Sequence, residues 1–331
     1  QLLMLEPLSL PAEPDPSAAA VQLFCDRVAR AAPHMEQPTE DLALATDICR
    51  LLGGLPLAME LAAARAHMLG LAELRAQLVR GRLPTSTGSA TMQEAVSWSL
   101  DLLGEDSRRL FAEACVFRST FDLESLGAVS GLDDPIDALA ELVDASMLSV
   151  VGGRSGNRYR VLEPIRQALP GGVPDATVAA YADWVVAMGE RIRAAYLGCD
   201  TGTDVAVLLE NRKLAIDLLL ERSDDFQNGL ALLHGSGDLD RFAELALALS
   251  YPLSRRPLPG LVSMILERCP DTAAGLAARA DLEWCVGRPQ DCVSHVDQLL
   301  GEIDPEHPWV VKALGASCPA YSYIGDVEQM S

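Results

Sequence analysis

Met147-Leu148-Ser149-Val150-Val151, then Gly152-Gly153-Arg154-Ser155-Gly156-Asn157, then Arg158-Tyr159-Arg160-Val161-Leu162: here the chain changes its period. Two short β-rich runs flank a glycine-rich turn, which predicts a hairpin. No other stretch of the 331 residues reads so clearly as a pair of strands. The segments on either side carry apolar residues at helical spacing. The fold is therefore expected to be mainly α with one β-hairpin.

Immediately upstream, Thr91-Met92-Gln93-Glu94 forms a capping box, in which the Thr and Glu side chains satisfy backbone N–H groups reciprocally. The helix it opens carries Val96, Leu100 and Leu103 on one face. Short helices are expected at Glu105 to Val116, Leu123 to Val129 and Pro135 to Met147. Three helices followed by a two-stranded wing is the pattern of a winged-helix domain, here 91–170. Its charge argues against reading DNA. Residues 91–170 carry seven Arg against thirteen Asp or Glu, a net −6. The helix in the recognition position holds Asp133, Asp134, Asp137, Glu141 and Asp144 and no basic residue, so phosphates would be repelled. Arg154, Arg158 and Arg160 on the wing are too few to offset this.

Residues 1–83 form the first expected segment. Ser17 can cap a helix with Val21, Phe24, Cys25 and Val28 on one stripe. Thr39 is expected to cap a second, with Glu40 and Asp41 in its first turn and Leu42, Ala45, Ile48, Leu51 and Leu52 on its buried side. Gly53 supplies the stop, and Pro56 suits the first turn of a third helix, Leu57 to about Met68, rich in alanine (Ala58, Ala62, Ala63, Ala64). A Pro/Ser/Thr/Gly linker runs from Leu83 to Ala90. The third segment, 175–331, is helical again. Val178, Tyr181, Val185, Met188 and Ile192 line one helix face. Two turns look alike, Cys285-Val286-Gly287-Arg288-Pro289-Gln290 and Tyr323-Ile324-Gly325-Asp326-Val327-Glu328, 38 residues apart (325 − 287), with Ser236-Gly237-Asp238-Leu239-Asp240 a weaker third. That spacing lies near the ~34-residue tetratricopeptide period, although generic helical hairpins would give similar turns.

With 26 basic and 47 acidic residues the net charge is −21, which disfavours a nucleic-acid surface. No apolar run approaches the ~20 residues of a membrane span. Leu2, Leu3 and Leu5 meet Glu6 and Pro7 without a basic flank, so no secretory leader is expected; the opening on Gln1 leads us to expect a piece of a longer protein, and a cytoplasmic location is expected. Eight cysteines are too sparse for a disulfide scaffold and read as buried thiols. Cys285, Cys292 and His295 form the one metal-like cluster, but their spacing fits no common zinc arrangement and a fourth ligand is missing, so no metal site is expected. No catalytic residue set is visible, and the chain is not expected to be an enzyme.

Three ordered stretches carry a resemblance. The first is Glu6-Pro7-Leu8-Ser9-Leu10-Pro11, Val21-Gln22-Leu23-Phe24 and Gly54-Leu55-Pro56-Leu57-Ala58-Met59-Glu60-Leu61-Ala62. The second is Ala95-Val96-Ser97-Trp98-Ser99-Leu100-Asp101-Leu102-Leu103, Arg109-Leu110-Phe111, Phe117, Leu142-Val143-Asp144-Ala145-Ser146-Met147-Leu148 and Arg158 to Gln167. The third is Leu209-Glu210-Asn211-Arg212-Lys213-Leu214-Ala215. Together they resemble the part downstream of the P-loop core in STAND-class signalling ATPases, the NB-ARC relatives, and among them large bacterial transcriptional regulators of the LuxR-like and antibiotic-regulatory kinds. The resemblance implies a helical lid, a winged helix and a helical arm leading into TPR-like repeats. It also implies that Gly54, Leu55, Pro56 and Leu57 are a GLPL motif whose proline packs against a bound nucleotide's base. From spacing alone, Gly53, Gly54 and Pro56 could equally just join two helices.

Two departures bear on chemistry. A Walker A loop needs Lys followed by Ser or Thr to hold the phosphates and Mg²⁺, but Lys213 and Lys312 are the only lysines and precede Leu and Ala. No Walker B strand is visible. ATP or ADP with Mg is therefore expected only in the longer parent protein, with no cofactor in this fragment. Where the relatives carry an MHD motif this chain reads Val161-Leu162-Glu163, so the diphosphate-binding histidine is replaced by Leu162. The expected role is a regulatory fragment that couples nucleotide state in the missing core to a protein partner or small inducer on the repeats, without direct nucleic-acid or membrane contact. The alternative is a stand-alone helical-repeat interaction adaptor.

Overall fold

The computed structural model describes residues 8–11, 13–31, 41–80, 96–97, 99–153, 156–197 and 205–303. It divides into two compact units, Gln1–Val178 and Ala179–Ser331. The described residues are mainly helical, with one small two-stranded antiparallel sheet.

In the first unit, α1 (Ala19–Ala31) buries Val21, Phe24, Cys25 and Val28, the stripe its sequence predicts. It packs against α3 (Pro56–Arg80), where Ala58, Ala62 and Ala63 are at most 1% exposed, small enough to let the helices approach closely. α2 (Leu42–Leu51) is capped by Asp41, whose side chain accepts the Leu44 N–H at 3.2 Å. Asp41 was expected inside the first turn; the expected cap, Thr39, lies outside the described residues, as do the capping box at 91–94 and the linker at 83–90. α3 corrects a second boundary. It runs well past Met68 to Arg80, kinked at Gly70 (φ 70°, ψ 160°), because Leu71, Leu74 and Leu78 resume a buried stripe beyond the glycine.

Helical residues at 96–97 and 99–101 bury Val96 and Leu100. Then come α4 (Glu105–Ala114), α5 (Leu123–Val129) and α6 (Ile136–Asp144). α4 packs on α6. The strands are β1 (Ser149–Gly153) and β2 (Gly156–Arg160), paired from Ser149↔Arg160 to Gly153↔Gly156. They sit nearer the turn than Met147–Val151 and Arg158–Leu162, because Gly152 and Gly153 pair with Asn157 and Gly156 instead of forming a loop. One contact was not foreseen: Phe121 exchanges two backbone hydrogen bonds with Tyr159, at 2.9 and 2.7 Å, on the far edge of β2. Phe121 is fully buried, its ring stacked on Phe117 at 4.7 Å. A short α7 (Glu163–Gln167) follows.

The second unit takes in most of α8 (Asp175–Leu197), then α9 (Val205–Glu221), α10 (Ser223–Ser236), α11 (Leu239–Leu253), α12 (Pro259–Arg268), α13 (Ala273–Cys285) and α14 (Pro289–Glu302). Tyr181, Val185, Met188 and Ile192 of α8 are buried on one face. The Tyr181 hydroxyl donates to Asp225 Oδ1 at 2.7 Å, and the buried Arg222 guanidinium lies over the Trp184 ring at 5.3 Å. The turns α10–α11 and α13–α14 share one geometry. Gly237 (φ 79°) and Gly287 (φ 80°) are left-handed, and the N–H of the next residue, Asp238 or Arg288, reaches back to Leu233 or Glu283. These turns lie 50 residues apart (287 − 237), further than a ~34-residue period allows, because α12 intervenes. The third similar turn, 323–328, is outside the described residues.

Candidate functional site

The four residues Gly54, Leu55, Pro56 and Leu57 occupy the turn between α2 and α3. α2 ends in a Schellman motif: the Gly53 N–H donates to Arg50 O at 3.0 Å and the Gly54 N–H to Cys49 O at 3.2 Å. Both glycines have positive φ, 63° and 69°. Gly54 is also pinned from outside. Its carbonyl accepts the Leu8 N–H at 2.9 Å, and a Cβ on it would stand 2.4 Å from the Leu8 carbonyl oxygen. The Arg50 guanidinium donates to Pro11 O through Nε (3.2 Å) and Nη2 (2.8 Å), so the 8–11 strap is held at both ends. Leu55 then opens α3, its carbonyl accepting the Met59 N–H at 3.0 Å. Pro56 has no N–H to leave unsatisfied and sits exposed in the first turn. Leu57 is half-buried and Ala58 fully buried.

The two glycines thus have a structural job in full. Pro56 is the member left facing outward, an apolar ring beside the N–H groups of a first turn that lack intrahelical partners.

About two and a half turns along α3, a residue that carried no signal in the sequence connects this helix to the next segment. Arg65 is 4% exposed, in the run Leu61-Ala62-Ala63-Ala64-Arg65-Ala66. Its Nη2 donates to Ser99 O at 3.1 Å. Burial pushes its guanidinium pKa below the ordinary value, opposed by the nearby Glu141 carboxylate. Glu141, on α6, accepts from the Gly104 N–H at 3.3 Å and from the Ser107 hydroxyl. A lone charge in an alanine run has no periodicity, which is why only the fold exposes its role.

Leu162 is the N-cap of α7: its carbonyl accepts N–H groups from Ile165 and Arg166, both at 3.0 Å. Glu163 next to it pairs with Arg166 and, at 4.0 Å, Arg118. The cysteine–histidine cluster falls at the α13–α14 turn, with Cys285 exposed and Cys292 buried. His295 Nδ1 lies 2.6 Å from Glu283 Oε2. Among the described residues no group of three or more His, Cys, Asp and Glu is placed to hold a metal. A cavity of about 350 Å³ lies at α1 and the start of α2, lined by Pro16, Val21, Gln22, Cys25, Asp26 and Leu42, away from the Gly54–Leu57 turn. On α6 and just before it, Asp133, Asp134, Asp137 and Asp144 are exposed. No described helix is long and apolar enough to cross a membrane.

No family model matches the chain. It is 35% identical over 160 residues to "Putative HTH-type transcriptional regulator Rv0890c" of Mycobacterium tuberculosis (strain ATCC 25618 / H37Rv), covering 45% of this chain and 18% of that protein. The same figures hold for "Putative HTH-type transcriptional regulator Mb0914c" of Mycobacterium bovis (strain ATCC BAA-935 / AF2122/97). A further relative, "Uncharacterized protein Rv0894" of M. tuberculosis, is 33% identical over 194 residues, 53% of this chain and 49% of that protein. The matched part therefore spans from about a fifth to about half the length of these relatives.

Proposed function

We propose that the chain is the transmission segment of a nucleotide-switched, STAND-type transcriptional regulator: a helical lid, a winged helix at 91–170, and a helical arm leading into TPR-like repeats. The observation that supports it best is the double attachment of α3. Its first turn carries the strapped Gly54–Leu57 motif with Pro56 exposed, and further along its buried Arg65 is bonded to Ser99 of the neighbouring segment. A helix fixed at both places moves as one piece. A nucleotide base seated against Pro56, supplied by a P-loop core in the parent protein, would shift α3, and Arg65 would carry that shift into the 96–160 segment. This is a two-state packing switch, biased by whichever state the nucleotide binds better. The exposed acids around α6 favour a winged helix that transmits rather than one that reads DNA.

In this reading the chain alone does not hydrolyse ATP and takes up ADP feebly. Calorimetry on the parent regulator tests it: Pro56→Ala is expected to weaken ADP binding about tenfold while leaving the melting temperature of the isolated chain unchanged. Unaltered ADP affinity in that variant, or micromolar ADP binding by the chain alone, overturns it.

A further inference from the structure

Among the described residues no strand pairs with the outer edge of β1, and that edge carries an inference independent of any nucleotide. Both polar backbone groups of Tyr159 are spent on Phe121, so they point away from β1. In an antiparallel ladder the residue opposite, Val150, then forms a non-hydrogen-bonded pair, and its own N–H and C=O point out of the sheet. Two residues on, Gly152, opposite Asn157, does the same. β1 thus offers two donors and two acceptors in the arrangement an added strand requires, about 7 Å apart.

The edge lacks the usual guards. Ser149-Val150-Val151-Gly152-Gly153 contains no charge and no proline, and the Val150 side chain is 48% exposed. The surrounding charge indicates what would lie there. From Ala145 to Leu162 the chain has three arginines and no acid, an exception at a net charge of −21; Arg158 is taken up by Thr120 and Asp122, and Arg160 is exposed beside the edge. Ser149 and Arg160 are cross-strand partners on one face, so the exposed arginine can reach across the small serine toward a new neighbour of β1. Val150 lies on the other face, with Tyr159.

We propose that the outer edge of β1 captures an extended acidic segment of a partner protein by strand addition. Alternate residues of the segment are acidic, facing Ser149 and Arg160, and the residues between them are apolar, covering Val150. Main-chain pairing with Val150 and Gly152 supplies the affinity, and Arg160 selects the charge.

The test is fluorescence anisotropy of the whole chain with a short fluorescein-labelled peptide of alternating glutamate and valine. Saturable binding is expected, weakened about tenfold or more in Arg160→Glu and in Val150→Pro, the latter removing an N–H the hairpin does not use. N-methylating the outward amides of the peptide tests the same pairing on the unaltered protein, so the result does not depend on Val150→Pro folding. That peptide, and a lysine–valine peptide, should fail to bind. Several results overturn the proposal: no binding, equal binding of the N-methylated or lysine peptide, self-association of the chain that Val150→Pro abolishes while the peptide stays unbound, or duplex-DNA binding lost in Arg160→Glu but kept in Val150→Pro with no uptake of the peptide.

Discussion

Ser146 carries a backbone conformation that its side chain opposes. It is left-handed, φ 58°, the one such non-glycine among the described residues. Its N–H donates to Val143 O and the following Met147 N–H to Leu142 O, both at 2.9 Å, the same Schellman closure that ends α2 at Gly53. The hydrogen bonds offset the cost that Cβ imposes there, roughly 1–2 kcal/mol. Ser146→Gly should relieve that cost and lose part of the gain to the greater freedom of glycine when unfolded, a net stabilisation of about 0.5–1 kcal/mol. Gly237→Ala, at an equivalent turn, should destabilise by about 1 kcal/mol. Urea unfolding of both variants checks the pair. Gly54→Ala should be worse than either, because its added carbon meets the Leu8 carbonyl at 2.4 Å as well as a positive φ.

At the scale of elements, the 120–122 segment holds the hairpin from the side: Arg158 bonds Thr120 and pairs with Asp122, and Phe121 bridges to Tyr159. Phe121 gives β2 a second neighbour and seats its ring on Phe117. Truncating it to alanine removes a fully buried aromatic ring, for which about 3–5 kcal/mol is expected. A mutation that also loosened the strands would show faster amide exchange at Tyr159, and the same loss of stability without that change would mean the ring acts through packing alone. The pattern of residues announced the helices whose apolar positions recur, as in α1 and α8, and the hairpin, whose period differs from everything around it. It placed Gly54 to Leu57 on a turn at a helix start. Three things it did not announce have physical reasons. The third helix was expected to end near Met68, yet the buried Leu71, Leu74 and Leu78 carry it onward through a kink at Gly70. A one-residue bridge such as Phe121–Tyr159 has no period to detect. The clasp of Leu8 on Gly54 joins positions 46 residues apart (54 − 8), which local spacing does not relate.

Across the whole molecule, buried thiols link stability to pH in both units. Burial pushes Cys49 and Cys115 in the first unit, and Cys269 and Cys292 in the second, up to about 12. An unfolded chain gives up these protons near pH 8.5, whereas the folded one keeps them. The raised folded pKa therefore contributes stability that is fully present below about pH 8.5 and is lost as pH rises toward about 12. The slope is roughly 1 kcal/mol per thiol per pH unit in that window, so two thiols in a unit erode a net stability of about 5–15 kcal/mol within two or three units. Melting temperature, measured in reductant from pH 8 to 11, should fall for both units. A rival cause exists, since a chain of net charge −21 repels itself more as its two lysines deprotonate, the arginines keeping their charge. Salt separates the two: at about 0.5 M ionic strength, with a Debye length of only a few ångströms, repulsion between surface charges is screened, but the cost of ionising a thiol inside an apolar core is not. A fall that persists in high salt and flattens in Cys49→Ala and Cys269→Ala assigns the effect to the thiols, and one that high salt removes assigns it to the acidic surface.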